Sequence, residues 1–471
     1  ILHLRKQGIE LQPLLKGRQV IPDPELDVDR SEVEPSFPFD YHRGFPNSVY
    51  FERQYGPTSY ELKAIDRLCD AIEMAHPLSA IQRWQFVQFT PDHVAHLLER
   101  EVLRHARQLY LSWSDMWATS GSVDAINGIA KQIATSPFLR QLHKLTFWYP
   151  VGNAGLEALG NAIALDSLES LQLYVSEVSS DGIAQLAQSP LAKRLRELTL
   201  SQEGYLWPES IRGLTSGRWE CLHTLSFPND KIKLAGVGIL ALSDALPELV
   251  SLDLSGNPLG SEGMINLSQS SNLNLRELHL DRASLGREGL WHLTRSDLTN
   301  HLRALSLEDN DSPVADVRQL MQSSWFSQLR HLNFHSLTLR DKELTSLAEG
   351  DLYQELTKLN WYGSVLDPPC KPSQGAELVK ALHLPKIRHL RLAAIPMGTR
   401  GAKALAGKEW ISSIRMLDLS NCEIGESGAK ALLETLCPNQ LVHLKLANND
   451  LSDSIEALFD ERFPIARLEL K

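Results

Sequence analysis

The sequence predicts an α/β solenoid, a stack of similar coils that each give one short strand to an inner parallel sheet and one helix to the outer surface. Three observations carry this. First, a leucine inside an alternating apolar stretch returns at Leu145, Leu171, Leu198, Leu225, Leu252, Leu278, Leu305, Leu332, Leu359, Leu390, Leu417, Leu444 and Leu468. The steps are 26, 27, 27, 27, 26, 27, 27, 27, 31, 27, 27 and 24 residues. Second, a glycine stands eleven residues after this anchor, as Gly182, Gly236, Gly263, Gly289, Gly401 and Gly428. Third, a leucine stands fifteen residues after it, as Leu186, Leu240, Leu267, Leu293, Leu320, Leu347, Leu405 and Leu432. Two features locked to one period over more than 300 residues mean that each coil buries its leucines against a copy of itself on either side.

The stretch 249–267, LVSLDLSGNPLGSEGMINL, shows how one coil works. Leu252 and Leu254 alternate with Asp253, so the leucines face the core while Ser251, Asp253 and Ser255 face solvent. Asn257, five residues after the anchor, carries an amide that can bond the open backbone of neighbouring coils. Leu259 turns inward, Gly263 permits a tight backbone, and Met264 opens a helical run. The unit resembles the leucine-rich repeat family, and its long ribonuclease-inhibitor-like subtype with the pattern LxxLxLxxNxLxxxGxxxLxxxL. That resemblance implies strands on a concave face, helices on a convex face and a horseshoe outline. Strands about 4.8 Å apart backed by helices that need roughly 8–10 Å would bend the stack in that sense.

Taken in order, residues 1–46 hold Pro22, Pro24, Pro35 and Pro38 and the acidic series Glu25, Asp27, Asp29, Glu32 and Glu34, and read as an extended segment leading into a cap. Residues 47–140 read as irregular first repeats, with strands expected at Ser48–Phe51, Ile81–Phe86 and Leu109–Leu111. The stretch FDYHRGFPNSVYF is similar to the cap of repeat-companion leucine-rich proteins of planctomycete bacteria, which implies a bacterial intracellular protein and brings no catalytic residues. Residues 141–471 read as regular repeats. The coil from Leu359 to Leu390 is four residues longer than its neighbours and holds Pro368, Pro369, Cys370 and Pro372, so an expelled loop is expected there. Trp361 takes the second leucine's place in that coil. The last strand, at Leu468, has no helix after it and predicts an exposed sheet edge. The chain opens at Ile1 rather than Met, which leaves room for an upstream signal peptide or domain.

Composition narrows the function. The net charge of −11 and pI near 5.8 argue against nucleic acid as the main partner. No run of about 18 apolar residues occurs, so no membrane span is expected. The five cysteines, Cys69, Cys221, Cys370, Cys422 and Cys437, are odd in number, contain no CxxC pair and fit no zinc spacing. Cys422 occupies the position that Asn257, Asn310 and Asn449 hold elsewhere, where a free thiol serves as a small buried donor. A reducing, cytoplasmic compartment is therefore expected.

Several stretches imitate chemistry. Gly398–Lys403 (GTRGAK) and Gly425–Lys430 (GESGAK) suggest phosphate loops, yet both lack the GxxxxGK[ST] spacing and place Gly401 and Gly428 at the structural glycine phase. His331, Asn333 and His335 share a strand face, but residues i and i+4 of a strand lie about 13 Å apart, too far to chelate one ion. Glu308 and Asp309 read as a solvated strand end. No HExxH, GxSxG or Cys/His constellation appears. The sequence therefore predicts no enzyme, no cofactor and no metal site.

The solvent-facing strand positions point to a protein partner on the concave face. The early strands offer Tyr110, Trp148 and Tyr174, with Trp113 and Tyr149 expected at the rim. The central strands offer Glu277, His279, Asp281, Glu308, His331 and His335. Large rings that cannot enter the core are typical anchors of interfaces. A recognition scaffold without catalysis is expected. The alternative is the sensor segment of a larger protein whose effector or enzymatic domain lies outside this chain.

Overall fold

The computed structural model describes residues 39–42, 45–52, 69–70, 81–87, 91–112, 123–174, 176–201, 207–310, 319–335, 353–362, 371–464 and 466–470. The chain forms two compact units, one of residues 1–230 with 243–248, the other of 231–242 with 249–471. The division falls inside the regular repeats, where the sequence period shows no break.

In the first unit, β1 (Phe39–His42) runs antiparallel to β2 (Phe45–Glu52), with Phe39 opposite Val49. Every later strand is parallel to its predecessor. These are β3 (Arg83–Val87), β4 (Gln108–Ser112), β5 (Lys144–Trp148), β6 (Ser170–Tyr174), β7 (Glu197–Leu200) and β8 (Thr224–Ser226). Val49, Trp84, Leu109, Leu145, Leu171, Leu198 and Leu225 stand side by side across them. The irregular first steps thus come from long connections and leave the pairing register intact. The antiparallel β1 is an addition that no repeat phase announces.

The second unit is parallel throughout. Its strands are β9 (Ser251–Asp253), β10 (Glu277–His279), β11 (Ala304–Ser306), β12 (His331–His335), β13 (Lys358–Tyr362), β14 (His389–Arg391), β15 (Met416–Asp418), β16 (His443–Lys445) and β17 (Arg467–Glu469). Anchor pairs with anchor at every step from Leu252 to Leu468. The long coil does not shift this register, since Leu359 still faces Leu390. Residues 363–370, and with them Cys370, lie outside the described residues. Trp361 is buried beside Phe334 of β12, filling the leucine site as expected.

Among the described residues, the helices on which the coils return each bury one apolar stripe. In Gly260–Ser268 the buried residues are Gly263, Met264 and Leu267, and in Gly425–Thr435 they are Gly428, Ala429 and Leu432. That spacing of three and four puts one face of the helix on the leucines of the sheet. Helix Leu234–Leu242 is apolar almost all round and leaves Leu242 exposed at its end.

Between strand and helix the backbone turns through a position that buries an amide or thiol. Asn257 accepts from Ile232 N at 2.9 Å and donates to Leu254 O at 2.9 Å. Asn310 accepts from Ala283 N and Leu285 N, both at 3.2 Å, and donates to Leu280 O at 2.7 Å. Asn449 accepts from Cys422 N at 3.0 Å and Ile424 N at 3.2 Å, and donates to Leu419 O and Leu446 O at 2.8 Å. Cys422 donates its thiol to Leu392 O at 3.1 Å. Burial pushes that thiol up to about 12, which keeps it protonated at neutral pH. The four described cysteines are all free thiols.

The phosphate-loop imitations are helix starts. A methyl group added to Gly401 would stand 2.5 Å from Met397 Cβ of its own coil and 3.2 Å from Ala376 Cα of the preceding helix, and one on Gly428 would stand 2.7 Å from Ala402 Cβ of the preceding helix. These glycines let adjacent helices approach, which accounts for their phase.

Candidate functional site

In β5 the alternation puts Leu145 and Phe147 inside, so Trp148 ends the strand on the solvent face. In β6 the same rule buries Leu171 and Leu173 and turns Gln172 and Tyr174 outward. Register pairs Trp148 with Tyr174. Their rings stack with centroids 4.2 Å apart at 13°, and Trp148 keeps 39% of its surface open. A near-parallel stack of this kind restrains both rings. The platform is flat, amphipathic and already ordered.

The other aromatic positions do not all join it. Tyr110 is half-buried on the solvent face of β4, but its neighbour on β5 is Thr146, two residues before Trp148. It follows its anchor by one residue, whereas Trp148 and Tyr174 follow theirs by three. Tyr149, expected at the rim, is instead buried at 3% exposure. The alternation of β5 runs one residue further than the strand, and Tyr149 follows Phe147 into the core. Its hydroxyl donates to Ser112 O at 3.4 Å, and burial raises its pKa far above the ordinary phenol value. Trp113 lies outside the described residues.

In the second unit the side chains of the strand face form a hydrogen-bonded row. Asp281 accepts from the Ser306 hydroxyl, and from Glu308 N at 2.7 Å. Asn333 donates to Ser306 Oγ at 2.8 Å and Glu308 Oε2 at 3.1 Å, and accepts from Asn360 Nδ2 at 2.7 Å. Burial raises the Asp281 carboxyl above its usual range, opposed by the bonds from Ser306 and Glu308 N. Glu277 accepts from Ser251 Oγ at 3.2 Å. Sequence reading treated these positions strand by strand and missed the row, although Ser306, Asn333 and Asn360 share one repeat position. His279 and Glu277 are half-buried on β10, and His331 is exposed on β12 between Ala304 and Lys358. The side chain of His335 lies outside the described residues.

His331 and His389 both have pKa values lowered, first by burial and then by the positive charge of Lys358 between their strands. The folded state therefore takes up these protons less readily than the unfolded chain. The stability they contribute is full above the ordinary imidazole value of about 6.5 and is lost as pH falls through the lower folded values. Urea midpoints at pH 7.5 and 5.5 check this. The fall between them is expected to shrink in a His331→Gln/His389→Gln variant, and an equal fall in both proteins contradicts it.

Among the described residues no three His, Cys, Asp or Glu side chains gather in a way that would hold a metal ion, and no helix is long and apolar enough to cross a membrane.

Comparison with known proteins gives a matching family model and similar folds. The model described as Leucine Rich repeat matches residues 246–268 and 412–433. No curated protein matches the sequence. Among solved structures, the chain is similar to the crystal structure of the Rad7 and Elc1 complex in yeast, at 15% identity and a TM-score of 0.43, covering 88% of this chain and 89% of that one. It is also similar to a leucine-rich repeat protein of Leptospira interrogans, at 16% identity and a TM-score of 0.35, over 83% and 84% of the two chains. An internalin of Listeria monocytogenes matches at 16% identity and a TM-score of 0.36, over 88% and 95%. The matched repeats, together with the unbroken anchor register within each unit, identify the fold as an α/β leucine-rich-repeat solenoid.

Proposed function

We propose that this chain is a non-catalytic recognition scaffold that binds another protein on the concave, strand-bearing face of its repeats. The 27-residue coil with a helix on its return suits the ribonuclease-inhibitor-like subtype. The observation that carries the functional reading is the Trp148–Tyr174 stack, two large rings held rigid and open to solvent where leucines already fill the core. Such rings gain from burial under a partner and lose little conformational entropy. A broad, shallow surface suits a protein better than a small molecule, which prefers a closed pocket.

The test is affinity capture from the native cell with the wild-type chain and with Trp148→Ala, followed by titration of the captured protein. Trp148→Ala is expected to weaken binding by about 2 kcal/mol or more while leaving the melting temperature nearly unchanged. A lowered melting temperature with unchanged affinity would mean that the ring serves the fold instead. The second reading, a sensor segment of a larger protein, uses the same surface and predicts the same loss.

A further inference from the structure

Two residues before the anchor leucine, the second unit repeats a cation. Arg276, Arg303, Arg330, Arg388 and Arg415 occupy this position at β10, β11, β12, β14 and β15, and at β13 Thr357 stands there with Lys358 after it. Backbone bonds of 2.7–2.8 Å tie each of these positions to the one before, from Arg303 N on Arg276 O to Arg415 N on Arg388 O. The row is therefore as regular as the sheet. Arg276, Arg330, Arg388 and Arg415 are exposed, and Arg303 is half-buried.

The guanidinium bonds of the row go to neutral groups. Arg303 donates to Leu302 O at 3.0 Å, and Arg388 donates to Ile387 O at 2.9 Å and Ser413 Oγ at 2.8 Å. None of the five forms an ion pair among the described residues. Glu355 pairs with Lys386 and is held below its ordinary value by that bond first and by Arg330 after it, and Glu277 accepts from the Ser251 hydroxyl. The first unit treats the same repeat position differently, since Arg196 there pairs at 3.5 Å with Glu169, at the same position of the preceding coil. Like charges on adjacent strands repel. A row of one sign, in a chain of net charge −11, is a cost that an anionic partner would remove. Burial and Lys358 lower the pKa values of His331 and His389 beside it, and Arg330 and Arg415 add to this in the same direction.

We propose that this edge of β10–β15 docks an acidic α-helix of a partner protein. The row advances by about 4.8 Å per strand, close to the roughly 5.4 Å per turn of a helix that presents carboxylates on one face. Five steps span about 24 Å, the length of a helix of about 16 residues. At the opposite ends of β10 and β11 stand Asp281 and Glu308, five residues on from Arg276 and Arg303 and at most about 16 Å away. A helix some 10–12 Å across lies over the basic edge alone. A nucleic-acid duplex, charged all round its axis, sets phosphates against those carboxylates. The inference does not rest on the Trp148 site, which belongs to the other unit, so either can fail alone.

The probe is an 18-residue fluorescein-labelled alanine-based peptide with glutamates on one helical face. A second peptide of equal composition spreads the glutamates around the helix, and an oligothymidylate of 18 nucleotides serves as competitor. Arg276, Arg330 and Arg415 make no side-chain hydrogen bond among the described residues, so a triple Gln variant at these positions tests binding without disturbing the fold, which its melting curve checks. The one-faced peptide is expected to bind tighter than the spread one, to weaken with salt, and to lose at least about fivefold in affinity in the triple variant. Arg196→Gln in the first unit is expected to change nothing. Equal binding of the two peptides, unchanged affinity in the triple variant, or tighter binding of the oligothymidylate would overturn the proposal.

Discussion

An Asn449→Leu variant is expected to lose roughly 3–5 kcal/mol of stability in the second unit. The side chain is buried, and its amide serves two N–H groups, of Cys422 and Ile424, and the carbonyls of Leu419 and Leu446. Leucine of similar volume leaves all four without that partner, and each stranded buried group costs about 1–3 kcal/mol. Because coils are held mainly by their neighbours, the damage is local before it is global. Amide hydrogen exchange is therefore the sharper measurement. Cys422 and Ile424 are expected to lose protection first, and unchanged exchange at both would show that the ladder carries no weight.

Gly375→Ala is expected to cost about 3 kcal/mol or more, above the usual range for overpacking. A methyl group at this position, in helix Pro372–Ala381, would stand 2.0 Å from Pro396 O, 2.8 Å from Pro396 C and 3.0 Å from Met397 Cα. All three are backbone atoms of the next coil, so no side chain can swing aside. The helix must move away from its neighbour, which opens the interface that holds both coils. A thermal melt of the variant checks this, and an unchanged midpoint contradicts the close approach. By contrast Gly128 has open space where its side chain would be, and Gly128→Ala is a suitable control in a helix.

The fold was legible because its signal is a phase. A leucine every 27 residues names both the strand and its register, and the structure pairs those leucines at every step within each unit. The polar ladder was legible for the same reason, since Asn257, Asn310, Cys422 and Asn449 share one offset. What phase does not carry was missed. β1 lies outside the repeat and pairs antiparallel, through local hairpin contacts. Strict alternation from Leu145 through Phe147 turns Tyr149 inward, against the rim position expected from the sequence. The offsets of Tyr110 and Trp148 from their anchors differ by two residues, which separates along the strand two rings that the sequence puts in one patch. The hydrogen-bonded row of Ser306, Asn333 and Asn360 one residue after the anchor, joined by Asp281 three residues after it, and the arginines two residues before it become visible only when polar residues are compared across coils.

The claim that the strand face is where this protein meets another protein is tested most directly by site-specific photocrosslinking in the native cell. A photoreactive phenylalanine analogue replaces Tyr174 on β6 in one chain and the exposed Glu157 on helix Asn153–Gly160 in another. The account predicts a discrete protein adduct from position 174 and none from position 157. Adducts from position 157 alone, or a nucleic-acid adduct at position 174, would contradict it.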